Sequence, residues 1–278
     1  MIELLFTADF GQRALVAATV VGLVAPVAGA FLVQRRLSLV GDGIGHLALA
    51  GVALGVLVGV SGVWGALVVA GLGAVLLEAL RVRGRLTGDL SLALVFYLGI
   101  AAGAVGLSLA GRFDTSVLGV LFGTLFALSW SDVLVIAGLG AVVVLAVVLL
   151  YRPLLAVALD EETARAAGLP VDLLNLVLVG LTALLVVGGM RVVGLLLVAA
   201  LMVVPVAAGS KVAHSFRNTL LWAVGVGTLS AWLGLGIAAW QGELIPGGTI
   251  VLTAIVVFVV FAAIGRRTAV AHRPRSSA

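Results

Sequence analysis

The chain has 278 residues, 63% of them hydrophobic and only 10% charged, with a mean hydropathy of +1.33. Soluble domains carry about a quarter charged residues, so an ordinary water-soluble fold is excluded. The absence of cysteine excludes disulfides, thiolate metal centres and cysteine nucleophiles. The net charge of +4 is scattered in short clusters between apolar runs, which is a membrane-topology pattern and not a nucleic-acid patch.

Spans need roughly 20 apolar residues each, so the length has room for about eight to ten. Residues Met1 to Phe10 carry Glu3 and Asp9 and no basic n-region, which reads as a mature N-terminus rather than a cleaved signal. Apolar runs follow at 12–33, 39–60, 63–80 and 90–110. A piece at 117–128 is too short for an ordinary span and is expected to be a half-helix that dips into the bilayer. Further runs lie at 132–150, 172–189, 191–209, 218–240 and 248–265. The expected fold is therefore an all-α polytopic bundle of about eight to nine spans. An eight-span form would make the first run interfacial. The permease domain covers 1–265, and the basic tail 266–278 is expected to be disordered and cytoplasmic. The clusters Arg35/Arg36, Arg81/Arg83/Arg85, Arg152, Lys211/Arg217 and Arg266/Arg267 are expected on the cytoplasmic side, with the N-terminus outside and the C-terminus inside a cytoplasmic membrane. The 37 glycines suit close helix packing, although a compositional bias of the genome would also supply them.

Ionisable residues inside apolar runs are costly and therefore informative, at roughly 2.5–3.5 kcal/mol each. Asp42 and His46 stand four apart in Ser38-Leu-Val-Gly-Asp42-Gly-Ile-Gly-His46. On a helix they share a face, with Cβ atoms about 5–6 Å apart. A carboxylate and an imidazole so placed can grip one divalent cation such as zinc, manganese or iron(II). The alternative makes Asp42 a helix cap and His46 an internally hydrogen-bonded side chain. Two ligands do not close a site, so others would come from another span or a symmetry-related copy. Glu78 reads as snorkelling towards Arg81, Asp89 as a helix cap and Arg191 as an anchor at the outer surface. Pro205 reads as a kink, and His214 and His272 as surface residues.

Asp160-Glu161-Glu162-Thr-Ala164-Arg-Ala-Ala167-Gly168-Leu-Pro170 is the longest polar stretch before the tail. Asp160 can cap a two-turn helix with acidic residues in its first turn, and Gly168 and Pro170 can stop it. Such a segment suits docking into a groove on a soluble partner. The sequence has no phosphate-binding glycine loop followed by Lys-Ser/Thr, so the chain is not expected to be an enzyme and nucleotide hydrolysis is expected in a separate subunit.

Together the segments Arg35–His46, Ala50–Gly55, Leu121-Phe-Gly123, Asp160–Gly168, Arg191–Val198 and Ala200–Pro205 resemble the metal-ion permeases of ATP-binding-cassette importers, the ABC-3 family that includes zinc and manganese permeases. The resemblance implies a type II importer-like permease with no permanently bound cofactor, carrying zinc or manganese, conceivably iron. It also implies a homodimer, two cytoplasmic ATPase subunits and an extracytoplasmic metal-binding protein. Asp42 and His46 match the family's metal ligands. Asp160, Glu161, Glu162, Ala164, Ala167 and Gly168 match its ATPase-coupling helix. The chain departs from the pattern after Pro205, where it reads Val-Ala-Ala-Gly-Ser-Lys211, and at Gly43 and Gly45. Rival readings are a permease for a metal chelate such as a siderophore or cobalamin, and a proton-coupled secondary transporter with Asp42 and His46 as its relay. A third rival, an intramembrane hydrolase, would need a convincing nucleophile or a fuller metal-ligand set, and the sequence offers neither.

Overall fold

The computed structural model describes residues 2–82, 88–111, 115–242 and 244–271. Arg83, Arg85, Arg112, Asp114 and His272 lie outside them. The described residues form thirteen α-helices and no strand. In chain order these are α1 (Ile2–Thr7), α2 (Asp9–Gln34), α3 (Val40–Val58), α4 (Gly62–Val82), α5 (Gly88–Leu109), α6 (Thr115–Phe122), α7 (Trp130–Leu149), α8 (Tyr151–Leu159), α9 (Glu161–Ala166), α10 (Val171–Gly189), α11 (Leu195–Gly209), α12 (Phe216–Gln241) and α13 (Pro246–Ala271). A single 3₁₀ turn, Leu125–Ala127, follows α6.

Eight of these helices, α2 to α5, α7, α10, α12 and α13, are long and apolar enough to cross a bilayer. Their outer faces carry exposed Leu72, Leu109, Leu134, Leu149 and Leu252. In water such rows would aggregate; against acyl chains they are matched. Association in lipid rests on close backbone approach and not on hydrophobic burial, and the glycines act there. α3 and α4 meet antiparallel where Gly51 and Gly65 face one another's carbonyls, leaving no room for a Cβ on either.

The seventh apolar run, expected over 191–209, is the one that falls short. Residues 190–193 form a turn and Gly194 takes φ +90°, so α11 begins only at Leu195. Its 15 residues reach about 22 Å at 1.5 Å per residue, less than the roughly 30 Å hydrocarbon core. The first run, by contrast, is a full 26-residue helix that continues through Pro26. A count of eight long helices therefore leaves out α11 and not the N-terminal run, although α11 still carries the chain from the end that holds Arg191 and Asp132 to the opposite end at Lys211. α11 likewise continues through Pro205.

The 117–128 piece dips and does not cross. α5 runs parallel to α3, since Gly99 lies against His46 and Gly106 against Ala53. α5 therefore ends where α3 ends and α4 begins. The start of α4, at Val63 and Trp64, shares a cleft with Asp132 near the start of α7. The chain thus leaves α5 and enters α7 at the same end of the bundle, and α6 with its 3₁₀ turn is an excursion from that end. The opposite end, called here the charged end, gathers Arg35, Arg81, Glu161 and Asn175. α13 returns to it, packing Gly265 against Lys211, and stays helical to Ala271, into the stretch expected to be disordered. Residues 272–278 lie outside the described residues.

Candidate metal site and coupling segment

α3 has one open stripe. Leu39, Leu54 and Val58 are exposed, Asp42 and His46 are half-buried, and most of the helix's other residues are buried. Both candidate ligands therefore lie on the only side of α3 that its own bundle leaves accessible. The spacing argument places them one turn apart, and the helix is continuous across both. The capping alternative for Asp42 fails, because α3 has no side-chain cap. The internally satisfied alternative for His46 fails too. Its Nδ1 is buried without a hydrogen-bond partner, and its ring stands edge-on to Phe96 at a centroid distance of 4.5 Å.

The surrounding helices fix this stripe in place. The α5 backbone presses on α3 at His46 itself, where a Cβ on Gly99 would fall 2.5 Å from the His46 carbonyl carbon. On the other side α11 approaches through Gly41, next to Ala199 and Met202, and through Gly45, next to Leu195. The glycines flanking the pair thus admit neighbouring helices. No group of three or more His, Asp or Glu able to hold a metal occurs among the described residues. Within one copy, Asp42 and His46 are therefore the two candidate ligands that α3 offers, without a third beside them among the described residues.

At the charged end α9 forms as its sequence directs. The Asp160 carboxylate accepts from the amides of Glu162 at 3.0 Å and Thr163 at 3.1 Å, and from the Thr163 hydroxyl at 2.6 Å. The bonds from Thr163 hold this exposed carboxyl below its usual range. Gly168, at φ +82°, ends the helix, and the Leu169 amide donates back to the Ala164 carbonyl at 3.1 Å. The six candidate coupling residues divide. Asp160, Glu162, Ala167 and Gly168 are exposed, Ala164 is buried against the bundle, and Glu161 turns inward.

Removing the cap has a definite signature. Asp160→Ala should accelerate hydrogen exchange at the Glu162 and Thr163 amides several-fold and leave the spans unchanged, as read by exchange mass spectrometry. For a depressed carboxyl, the stabilisation is complete above its unfolded-state pKa and lost as pH falls through the lowered folded value. Wild-type protection should therefore persist at neutral pH and fade only below the ordinary aspartate range.

Sequence reasoning missed three features. Glu161 accepts from Arg35 at 2.8 Å and from Arg81 at 3.0 Å, and buried Asn175 of α10 accepts from Arg35. Glu78 does not snorkel. It is 5% exposed, 3.8 Å from Arg81, beside a cleft of about 320 Å³ lined also by Glu161, Arg165 and Asp172. Arg191 is more than an anchor. It pairs with Asp132, which closes a capping box with Ser129 at the start of α7, while the Arg191 carbonyl accepts from the Thr124 amide at 3.1 Å.

Comparison with known proteins agrees with this architecture. The ABC 3 transport family profile matches residues 7–265. The manganese import system permease protein ScaB of Streptococcus parasanguinis is 32% identical over 251 residues, covering 90% of this chain and 89% of that protein. The structure of PsaBC from Streptococcus pneumoniae in complex with Fab superposes with a TM-score of 0.86 at 30% identity, covering 98% of each chain. An inward-facing metal-chelate type ABC transporter shares the fold, with a TM-score of 0.68 at 18% identity over 92% of this chain and 86% of that one. This chain belongs to the ABC 3 transport family.

Proposed function

We propose that this chain is the membrane-spanning permease subunit of an ATP-binding-cassette importer that carries a divalent transition-metal ion, manganese foremost, into the cytoplasm. The observation that carries the reading is the pair Asp42 and His46 on the open stripe of α3. A carboxylate and an imidazole facing lipid would be costly. Facing a second copy across a two-fold axis, they become a four-ligand site of two oxygens and two nitrogens, the donor set that hard-to-borderline divalent ions accept. The metal is cargo, so a site of modest affinity serves it, since a site that holds too tightly does not release. Manganese stands first because ScaB is named for manganese import, and because it binds such donors most weakly in the divalent series.

The power comes from outside the chain. Its single lysine, Lys211, is followed by valine and not by the serine or threonine of a phosphate-binding loop. Two ATPase subunits would dock on the exposed residues Asp160, Glu162, Ala167 and Gly168. A metal-binding protein would deliver cargo at the opposite end, and the C-terminus would be cytoplasmic with the charged end.

The test is uptake by proteoliposomes holding the permease, its ATPase and its binding protein. Manganese should enter only with ATP, indifferent to a protonophore, with zinc and iron(II) as competitors that rank the metals. Uptake that ignores ATP and collapses with the protonophore would make Asp42 and His46 a proton relay. Transport of the chelate alone would assign the chelate reading.

A further inference from the structure

The docking segment and the metal-gripping helix are far apart in sequence, and one side chain from the turn before α3 reaches directly across to α9. Arg35 ends α2, and its side chain is 5% exposed. It donates to Glu161 of α9 at 2.8 Å and to Asn175 of α10. Glu161 is also held by Arg81 of α4 at 3.0 Å and by Arg165 at 3.6 Å. The Asn175 amide lies 3.5 Å from the remaining Glu161 oxygen. Opening this pair would leave a guanidinium buried with one neutral partner, a costly state, whereas moving the pair intact costs no desolvation.

The turn after Arg35 is stiff. Arg36 takes the left-handed conformation at φ 59°, the Leu37 amide donates to the Leu32 carbonyl at 2.8 Å, and the Val40 amide donates to the Leu37 carbonyl at 3.0 Å. These bonds form a closed helix stop that runs directly into α3. Asp42 follows within the first turn of α3, and His46 lies one turn later.

We propose that Arg35 is the positioning residue through which movement of α9 reaches the metal half-site. The Arg35–Glu161 pair stays closed through the transport cycle, so that α9, the 35–39 turn and the start of α3 move as one lever. This rests on the reading of α9 as the ATPase-docking segment. Glu161 is then a transmission residue facing the bundle, and the exposed residues of the same segment face the ATPase.

The experiment is to reconstitute the full complex with Arg35→Met, Glu161→Gln, both together, and Arg35→Lys. It measures the ATPase retained on purification, the ATP hydrolysis rate and manganese taken up per ATP hydrolysed. Expected for each neutral variant is retained ATPase, hydrolysis within about twofold of wild type, and at least a tenfold fall in manganese per ATP. The double variant should be no worse than the worse single variant, because both break one link. Arg35→Lys should recover part of the ratio. An unchanged ratio, with only less complex or a lower melting temperature, would make the pair structural and overturn the proposal. Loss of the ATPase from Glu161→Gln would make Glu161 a docking contact and overturn it as well. Glu162→Arg is the separate control. If it leaves the ATPase bound, the docking reading of the segment fails, whatever Arg35 does.

Discussion

Replacing Asp42 or His46 with alanine should lower ATP-driven manganese uptake by more than about 100-fold, because altering only the outer partners of a metal ligand already costs about 10–100-fold. The same variants should accumulate in the membrane and superpose on wild type in melting experiments, or melt slightly higher. The reason is the sign of the local energetics. Neither side chain makes a hydrogen bond or ion pair to the described residues that its loss would break, and the His46 Nδ1 is a buried, unpartnered nitrogen. A residue kept for structure would show the reverse, with stability lost and transport retained in the surviving protein. Wild-type uptake by both variants would end the assignment of the half-site.

The second large effect is structural. Gly194 sits at φ +90° in the turn that opens α11. A Cβ there would fall on the Leu121 carbonyl oxygen and the Phe122 backbone, with the Phe122 Cα at 2.5 Å. Left-handed strain and overpacking together should destabilise Gly194→Ala by about 2–6 kcal/mol, read as a lower melting temperature and loss of monodisperse protein. Gly180 of α10 has nothing within 4 Å of its would-be Cβ. Gly180→Ala should therefore stay within about 1 kcal/mol of wild type. Equal melting temperatures for the two would show that the α6–α11 contact is not what holds this end together. Gly247 at the start of α13 meets the same junction, where a Cβ would fall 2.6 Å from the Phe122 carbonyl oxygen. Three segments thus depend on one point without side chains.

Local rules were sufficient for much of this protein. Apolar runs between basic clusters locate the long helices, because a bilayer imposes a length on every segment that crosses it. The i, i+4 spacing of Asp42 and His46 puts them on one face, because helical geometry is the same everywhere. Asp160 and Gly168 bound α9, because caps satisfy the backbone groups next to them. What those rules cannot see is partnership across the chain. Glu78 read as snorkelling towards Arg81, yet it is buried, since helices that meet only in three dimensions close over it. Arg191 looked like an anchor, yet its partner Asp132 is 59 residues away in sequence.

The sequence alone determined that this chain is a membrane bundle, which helix carries the candidate metal ligands, and where its polar segment at 160–170 starts and stops. Each of these follows from solvent matching or from hydrogen bonds within a few residues. Only the tertiary structure decided that Asp42 and His46 lie on the open stripe of α3, that the 117–128 piece returns to the end it left, and that α11 is cut short at Gly194. It alone joined Glu161 to Arg35, 126 residues apart. The physical reason is that in lipid, where apolar burial does not favour one helix contact over another, pairing is selected by backbone approach at glycines and by the need of buried charges for partners. Glycine spacing can mark a face open to close approach, but it does not say which helix comes there, and a buried charge does not name its partner.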